Sequence, residues 1–242
     1  MTEINDKNIA SKQLKIMFCL PGTTFSHNFL KSWTSLIMWC FYNNIKIFMS
    51  NFQSSNVYYV RNLCLGGDVL NGKKQKPFQG KVDYDYIMWI DSDQVFNVEQ
   101  FKKLLYADKD IIGGLYRMQN SESFACVQNW DKEYFKKNGS FEFLNPNIIR
   151  AWKEKTNSDL MKVSYTGFGW VLVKKNVFES LEYPWFRPLW HTIGENSETN
   201  SEISDFSSED KINFEIIRNK IWKNSEWLNV KTSDATETNK RL

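Results

Sequence analysis

The sequence predicts an α/β fold, with a mainly parallel central sheet flanked by helices and a small antiparallel extension in its second half. Three observations predict it. Short apolar runs of strand length alternate with helix-period segments through the first half, the pattern of a parallel sheet covered on both faces. In the second half the runs shorten and are separated by glycine-containing turns. The chain of 242 residues, 42% hydrophobic and 24% charged, is long enough to bury one large core and has the composition of a folded domain.

Each element has its own signal. "LKIMFCLPG" is an apolar run stopped by Pro21-Gly22, a buried first strand and its turn. "SHNFLKSWTSLIMWCFYNN" offers Ser26 as a cap and apolar residues at Phe29, Leu30, Trp33, Leu36, Ile37 and Cys40, which is helical spacing. "IKIFMS" follows as a strand, and "VYYVRNLCLGGDVL" as a helix that Gly66-Gly67 ends or bends. "YDYIMWI" is the third strand. "FNVEQFKKLLYAD" is a helix with Asn97 as cap and Gln100 three residues on, a capping-box pattern, and "KDIIGGLYRM" gives one more strand.

Further along, "FACVQNW" and "FEFL" are strand-like runs around "KKNGS", whose Asn138-Gly139 signals a hairpin turn. "MKVSYTGFGWVLVKKNVFESL" reads as strand, glycine-spaced loop, strand and short helix. The expected organisation is a polar leader over 1–13, a single domain over 14–228 and a disordered tail over 229–242.

Composition bounds the partners. A net charge of +3 is too small to argue for a nucleic-acid partner, which would need Lys and Arg gathered on one element. The basic segment "NGKKQKPFQGK" reads as a solvated loop or as a loop closing over a phosphorylated ligand. Cys19, Cys40, Cys64 and Cys126 are dispersed, without CxxC or zinc spacing, which fits reduced thiols. The leader resembles neither a signal nor a transit peptide, and the run "SLIMWCFY" is too short to span a bilayer. A soluble cytoplasmic protein is expected.

The chemistry gathers at "IMWIDSDQVF", residues 87 to 96. Because side chains alternate along a strand, Asp91 and Asp93 are expected to project to one face, with Ser92 opposite. The carboxyl end of a central strand is where ligands bind in open parallel sheets. Carboxylates there are costly unless paired, and a hard divalent cation, Mg2+ or Mn2+, resolves the cost when substrate phosphates and water complete its shell. In that reading Asp93 contacts the ion directly, while Asp91 reaches it through water or holds a ribose hydroxyl. The other reading is that Asp-Ser-Asp only shapes the following turn.

A strand ending in Asp-x-Asp, in a chain that opens with "CLPG" and later carries "SYTGFGWVLVKK" and "SSED", resembles the nucleotide-diphospho-sugar transferases of the GT-A (Rossmann-like) fold. The likeness is greatest to family-2-like glycosyltransferases of phage and viral genomes, and it covers about residues 14 to 220. "YYVRNLCLGGD" also resembles the Arg-Asn helix of fungal mannan mannosyltransferases. The resemblance implies a metal-dependent transfer of a sugar from a nucleotide-diphosphate sugar donor to a hydroxyl acceptor, a glycan or another, in the host cytoplasm if the chain is viral.

It also implies roles for particular residues. Pro21 and Gly22 would lie against the nucleotide base and ribose, or else form an ordinary strand-ending turn. Arg61 and Asn62 would face the diphosphate, where a guanidinium can pair with two oxygens; a structural ion pair is the alternative. Gly167, Phe168, Gly169 and Trp170 would let backbone and rings approach the sugar, or else pack a strand pair. Asp210, with Glu209 beside it, is the candidate base for the acceptor hydroxyl; acidic residues also favour a first helical turn on their own account.

The pattern departs from the family at one place. Relatives carry a histidine after the "ED" segment that completes the metal shell, whereas this chain has only His27 and His191, both before it. His191 is the candidate substitute. The departure motivates an alternative, a non-catalytic glycan- or nucleotide-binding protein with a degenerate cleft. A sugar-phosphate nucleotidyltransferase is disfavoured because "PGTTFSHN" after the first strand has no Lys or Arg.

Overall fold

The computed structural model of the chain describes residues 13–119, 121–187 and 228–229. In chain order its elements are β1 (Lys15–Cys19), α1 (His27–Tyr42), β2 (Lys46–Ser50), α2 (Val57–Cys64), β3 (Tyr86–Ile90), α3 (Val98–Ala107), β4 (Ile111–Gly114), β5 (Cys126–Val127), α4 (Lys132–Asn138), α5 (Pro146–Thr156), β6 (Tyr165–Thr166), β7 (Trp170–Lys174) and β8 (Leu228–Asn229). The described residues divide into two compact units, one drawn from 13–108 and 168–186, the other from 109–167 with 187 and 228–229.

In the first unit the strand order is β2-β1-β3-β7. β1 runs parallel to both β2 and β3, and β7 runs antiparallel to β3, with Ile90 opposite Trp170. The architecture is therefore α/β with a mixed sheet flanked by helices. The parallel strands are joined by helical crossovers, which is how a chain returns to start a parallel neighbour.

Alternation along the strands makes both sheet faces apolar, as a sheet covered on both sides requires. Phe18 of β1 meets Trp33 of α1 at 5.1 Å and Phe101 of α3 at 6.0 Å between ring centroids. Its neighbour Cys19 points the other way, and its thiol lies 3.7 Å from the Cys64 carbonyl of α2. On β3, Trp89 is fully buried against Phe168, Phe178 and Phe186.

Local chemistry sets the helix ends. Ser26 accepts from the Phe29 N–H at the start of α1, Asn56 accepts from Tyr58 and Tyr59 at the start of α2, and Asn97 forms the expected capping box with Gln100. α2 stops at Cys64, and Gly66 follows with a left-handed φ of 70°. The basic segment forms a loop in which Lys73, Lys74 and Lys76 are exposed, while the buried Gln75 is bonded to Asp68 and Gly72.

The second unit holds β4, paired in parallel with β8, and the antiparallel pair β5–β6. Two expectations change there. Asn138-Gly139 is the end of α4 rather than a hairpin: Gly139 adopts φ 69° as the C-cap, the same left-handed geometry a hairpin turn would use. "FEFL" contributes a single bridge, Phe143 to Val127, rather than a strand. α5 was not foreseen, although Asn145 as cap and Pro146 in the first turn are its start signal. Among the described residues no helix is long and apolar enough to cross a membrane.

Candidate functional site

The carboxyl ends of β1, β2 and β3 converge in the first unit. After β1, Leu20 N–H donates to the Ser50 carbonyl and Gly22 N–H to the Phe52 carbonyl, each at 2.9 Å. The Asn51 amide donates back to the Leu20 and Gly22 carbonyls. Pro21 is buried, and Gly22 takes a φ of 142°, a region open to glycine. A Cβ at Gly22 would stand 2.7 Å from the Cβ of Ser92. Pro21-Gly22 and the Asp-Ser-Asp segment are therefore in direct contact.

The segment is a turn and not an extension of the strand. β3 ends at Ile90, and the Gln94 N–H donates to the Asp91 carbonyl at 3.0 Å. The alternation expected for Asp91 and Asp93 does not apply, because the chain leaves the sheet after Ile90. Asp91 N–H donates to the Gly169 carbonyl at 2.9 Å, and Asp93 is exposed. The two carboxylates are still close enough for the charge of Asp93 to act on Asp91.

Asp91 is already paired. Arg61 Nη2 donates to its two oxygens at 2.9 and 3.3 Å, and Arg61 Nη1 donates to the Phe168 carbonyl at 3.2 Å. The guanidinium lies between the rings of Trp89 and Phe168, 5.4 and 5.7 Å from their centroids, an arrangement in which the ring faces attract the cation. Its side chain is 9% exposed, that of Asp91 32%. Burial raises the Asp91 carboxyl above the usual carboxylate value; the Arg61 charge and hydrogen bond oppose the rise, and Asp93 adds to it.

Asn62 is engaged in the same way. Its amide donates to the Tyr58 and Phe186 carbonyls at 2.9 and 2.7 Å, and its oxygen accepts from Phe186 N–H. Arg61 and Asn62, which the resemblance sets facing a diphosphate, tie α2 to the Asp91 turn and to the segment at 186. Asp68 caps the 3-10 turn that follows α2 by accepting from Leu70 N–H.

The "TGFGW" residues divide. Trp170 is 5% exposed and stacks on Phe96 at 4.5 Å, so its ring packs in the core. Gly169 is buried, Phe168 is half-buried beside Arg61, and both give carbonyls to the Asp91–Arg61 knot. In the second unit Gly167 is backed by Tyr116 and Ala125, where a Cβ would collide with the Tyr116 hydroxyl. Tyr183 and Trp185 are buried and pack on Gly67. His191, Glu209 and Asp210 lie outside the described residues.

Sequence reasoning missed Asn51 and the Ser92–Gly22 contact. An Asn directly after a strand was the available signal for the first; the second is a long-range approach with no local signature. Among the described residues no cluster of three His, Cys, Asp or Glu side chains could hold a metal. The donor set fits a cation held by one or two carboxylates and completed by a ligand's phosphates: Asp93 is the exposed carboxylate, and Asp91 is shared with Arg61. No protein-family model and no curated protein matches the chain.

Proposed function

We propose that the chain is a metal-dependent glycosyltransferase of GT-A type that moves a sugar from a nucleotide-diphosphate sugar to a hydroxyl acceptor. One observation carries the reading: the Asp91–Asp93 turn meets Pro21-Gly22 where the carboxyl ends of three parallel strands come together. That edge is the ligand crevice of open parallel sheets.

Asp93, with Asp91 behind it, would hold Mn2+ or Mg2+, whose chemistry is to neutralise charge on the departing diphosphate. Pro21 and Gly22 would shape the wall for the nucleoside, and Arg61 would keep the Asp91 turn in place. Asp210, with Glu209 nearby, is the residue proposed to take the acceptor proton. The test is release of nucleoside diphosphate from nucleotide sugars in Mn2+. An Asp93→Ala variant that retains the fold should lose on the order of a hundredfold in rate or more, and equal rates would end the proposal.

A second reading has its own support. Arg61 and Asn62, the side chains expected to meet phosphate, are bonded within the protein. This favours a non-catalytic protein that binds a nucleotide or glycan in the same cleft. It predicts stabilisation by ligand without turnover.

A further inference from the structure

Among the described residues the sheet stops at β2, which pairs only with β1. Lys46 N–H donates to the Leu14 carbonyl and the Ser50 carbonyl accepts from Leu20 N–H. Backbone groups of one strand residue point to the same side, and successive residues alternate. Residues 46, 48 and 50 therefore face β1, while Ile47 and Met49 turn their N–H and C=O groups outward. Natural edges are blunted by shortness, charged side chains, proline or bulges; β2 has five residues and no proline, and its one charged residue, Lys46, stands at its start, leaving Ile47 to Ser50 uncharged.

The side chains around the edge are apolar and open to solvent. Ile47 is 37% and Met49 62% exposed. On α1, whose only Lys, Arg, Asp or Glu is Lys31, the residues Leu30, Met38, Phe41 and Tyr42 are all exposed, the last two just before β2 begins. Exposed apolar side chains on an edge strand and on the helix before it are a feature of interaction faces.

We propose that this edge is a self-association surface, completed by a second copy of this chain whose β2 pairs antiparallel across a two-fold axis. The pattern of outward groups selects the register. With the axis at Phe48, Ile47 lies opposite Met49 of the second copy and both form hydrogen-bonded pairs, so every outward N–H and C=O is used. An axis at Ile47 or Met49 would move the other outward residue opposite position 45 or 51, beyond the strand. The selected register sets apolar side chains against each other and Lys46 against Ser50. It keeps the two Lys46 residues about 13 Å apart along the strands, beyond the screening length of about 8 Å at physiological salt. The axis stands perpendicular to the sheet, so both copies of α1 cover one face and flank the joint.

The experiment is the mass of the full chain in solution by sedimentation across a wide concentration range, with Met49→Pro and Met49→Lys beside it. Met49 N–H points away from β1, so proline there removes an outward donor without breaking the β1 ladder. The chain should sediment at twice its mass and both variants at the monomer mass, with unchanged circular dichroism. Hydrogen exchange should slow at Ile47 and Met49 as concentration rises in the unaltered chain, a readout that does not depend on the variants folding. A chain that stays monomeric, a dimer that survives both substitutions, or a monomer that instead sediments with anionic lipid vesicles would overturn the proposal.

Discussion

Arg61 holds Asp91 through two hydrogen bonds, at 2.9 and 3.3 Å, and Phe168 through a third, so one guanidinium joins α2, the turn after β3 and the loop before β7. Removing it leaves a carboxylate that is about two-thirds buried without its partner. Arg61→Ala is expected to destabilise the fold by roughly 2 kcal/mol, below the 3–5 of a fully buried pair because Asp91 can respond by binding a proton. Arg61→Lys keeps the charge and loses the fork, so it should recover only part of that loss. Urea unfolding of the three proteins measures both.

Gly22 sets the distance between the β1 turn and the carboxylate turn. Gly22→Ala places a methyl 2.7 Å from Ser92 Cβ at a φ that L-residues avoid, and should cost about 1–3 kcal/mol. Ser92→Gly in the same chain should return the part due to collision and leave the part due to φ, which a double-mutant cycle separates. Gly72→Ala, where nothing lies within 4 Å of the added Cβ, is the comparison that isolates a positive φ alone.

Asp83 carries a pH dependence of known sign. Lys15 and Lys175 donate to its carboxylate and hold its carboxyl well below the ordinary range. A depressed folded value means the stabilisation is present above the unfolded value of about 3.9 and is lost as pH falls through the folded one. Asp83→Asn should therefore be less stable than the unaltered chain at neutral pH and equal to it in strong acid. Because Asp83 is exposed, the difference should shrink with added salt.

The four cysteines should be silent in the folded protein. All are buried, and burial pushes the thiols of Cys40 and Cys126 up to about 12 and that of Cys64 to about 11. At pH 8 the thiolate fraction of each of these three is then at most about one in a thousand. A thiol reagent should label no cysteine rapidly in the native protein and all of them in denaturant.

Legibility in the sequence followed the range of the interaction involved. The apolar runs at β1 and β3, the caps at Ser26 and Asn97, and the break at Gly66 are local, and each appears where residue type and spacing put it. Asn138-Gly139 misled because a hairpin turn and a helix C-cap ask the same left-handed backbone of glycine. The face shared by Asp91 and Asp93 rests on strand alternation, which lapses because β3 ends at Ile90 and the chain turns at Ser92-Asp93. The phosphate role of Arg61 is implied by the resemblance alone, and its pairing with Asp91, thirty residues away, has no local signal in the sequence. Of the two readings of Trp170, a sugar platform or a packed strand pair, the stacking on Phe96 belongs to the second, and that long-range contact has no local signature.

The proposed function requires the carboxylate turn after β3 to grip a cation that in turn grips a diphosphate. Thermal unfolding with nucleoside diphosphates, with and without Mn2+, tests it most directly. Ligand at a hundred times its Kd stabilises by about 2.7 kcal/mol. Tm should rise only with nucleotide and metal together, and the rise should disappear in Asp93→Ala. No rise with any nucleotide, or the same rise in Asp93→Ala, would contradict it.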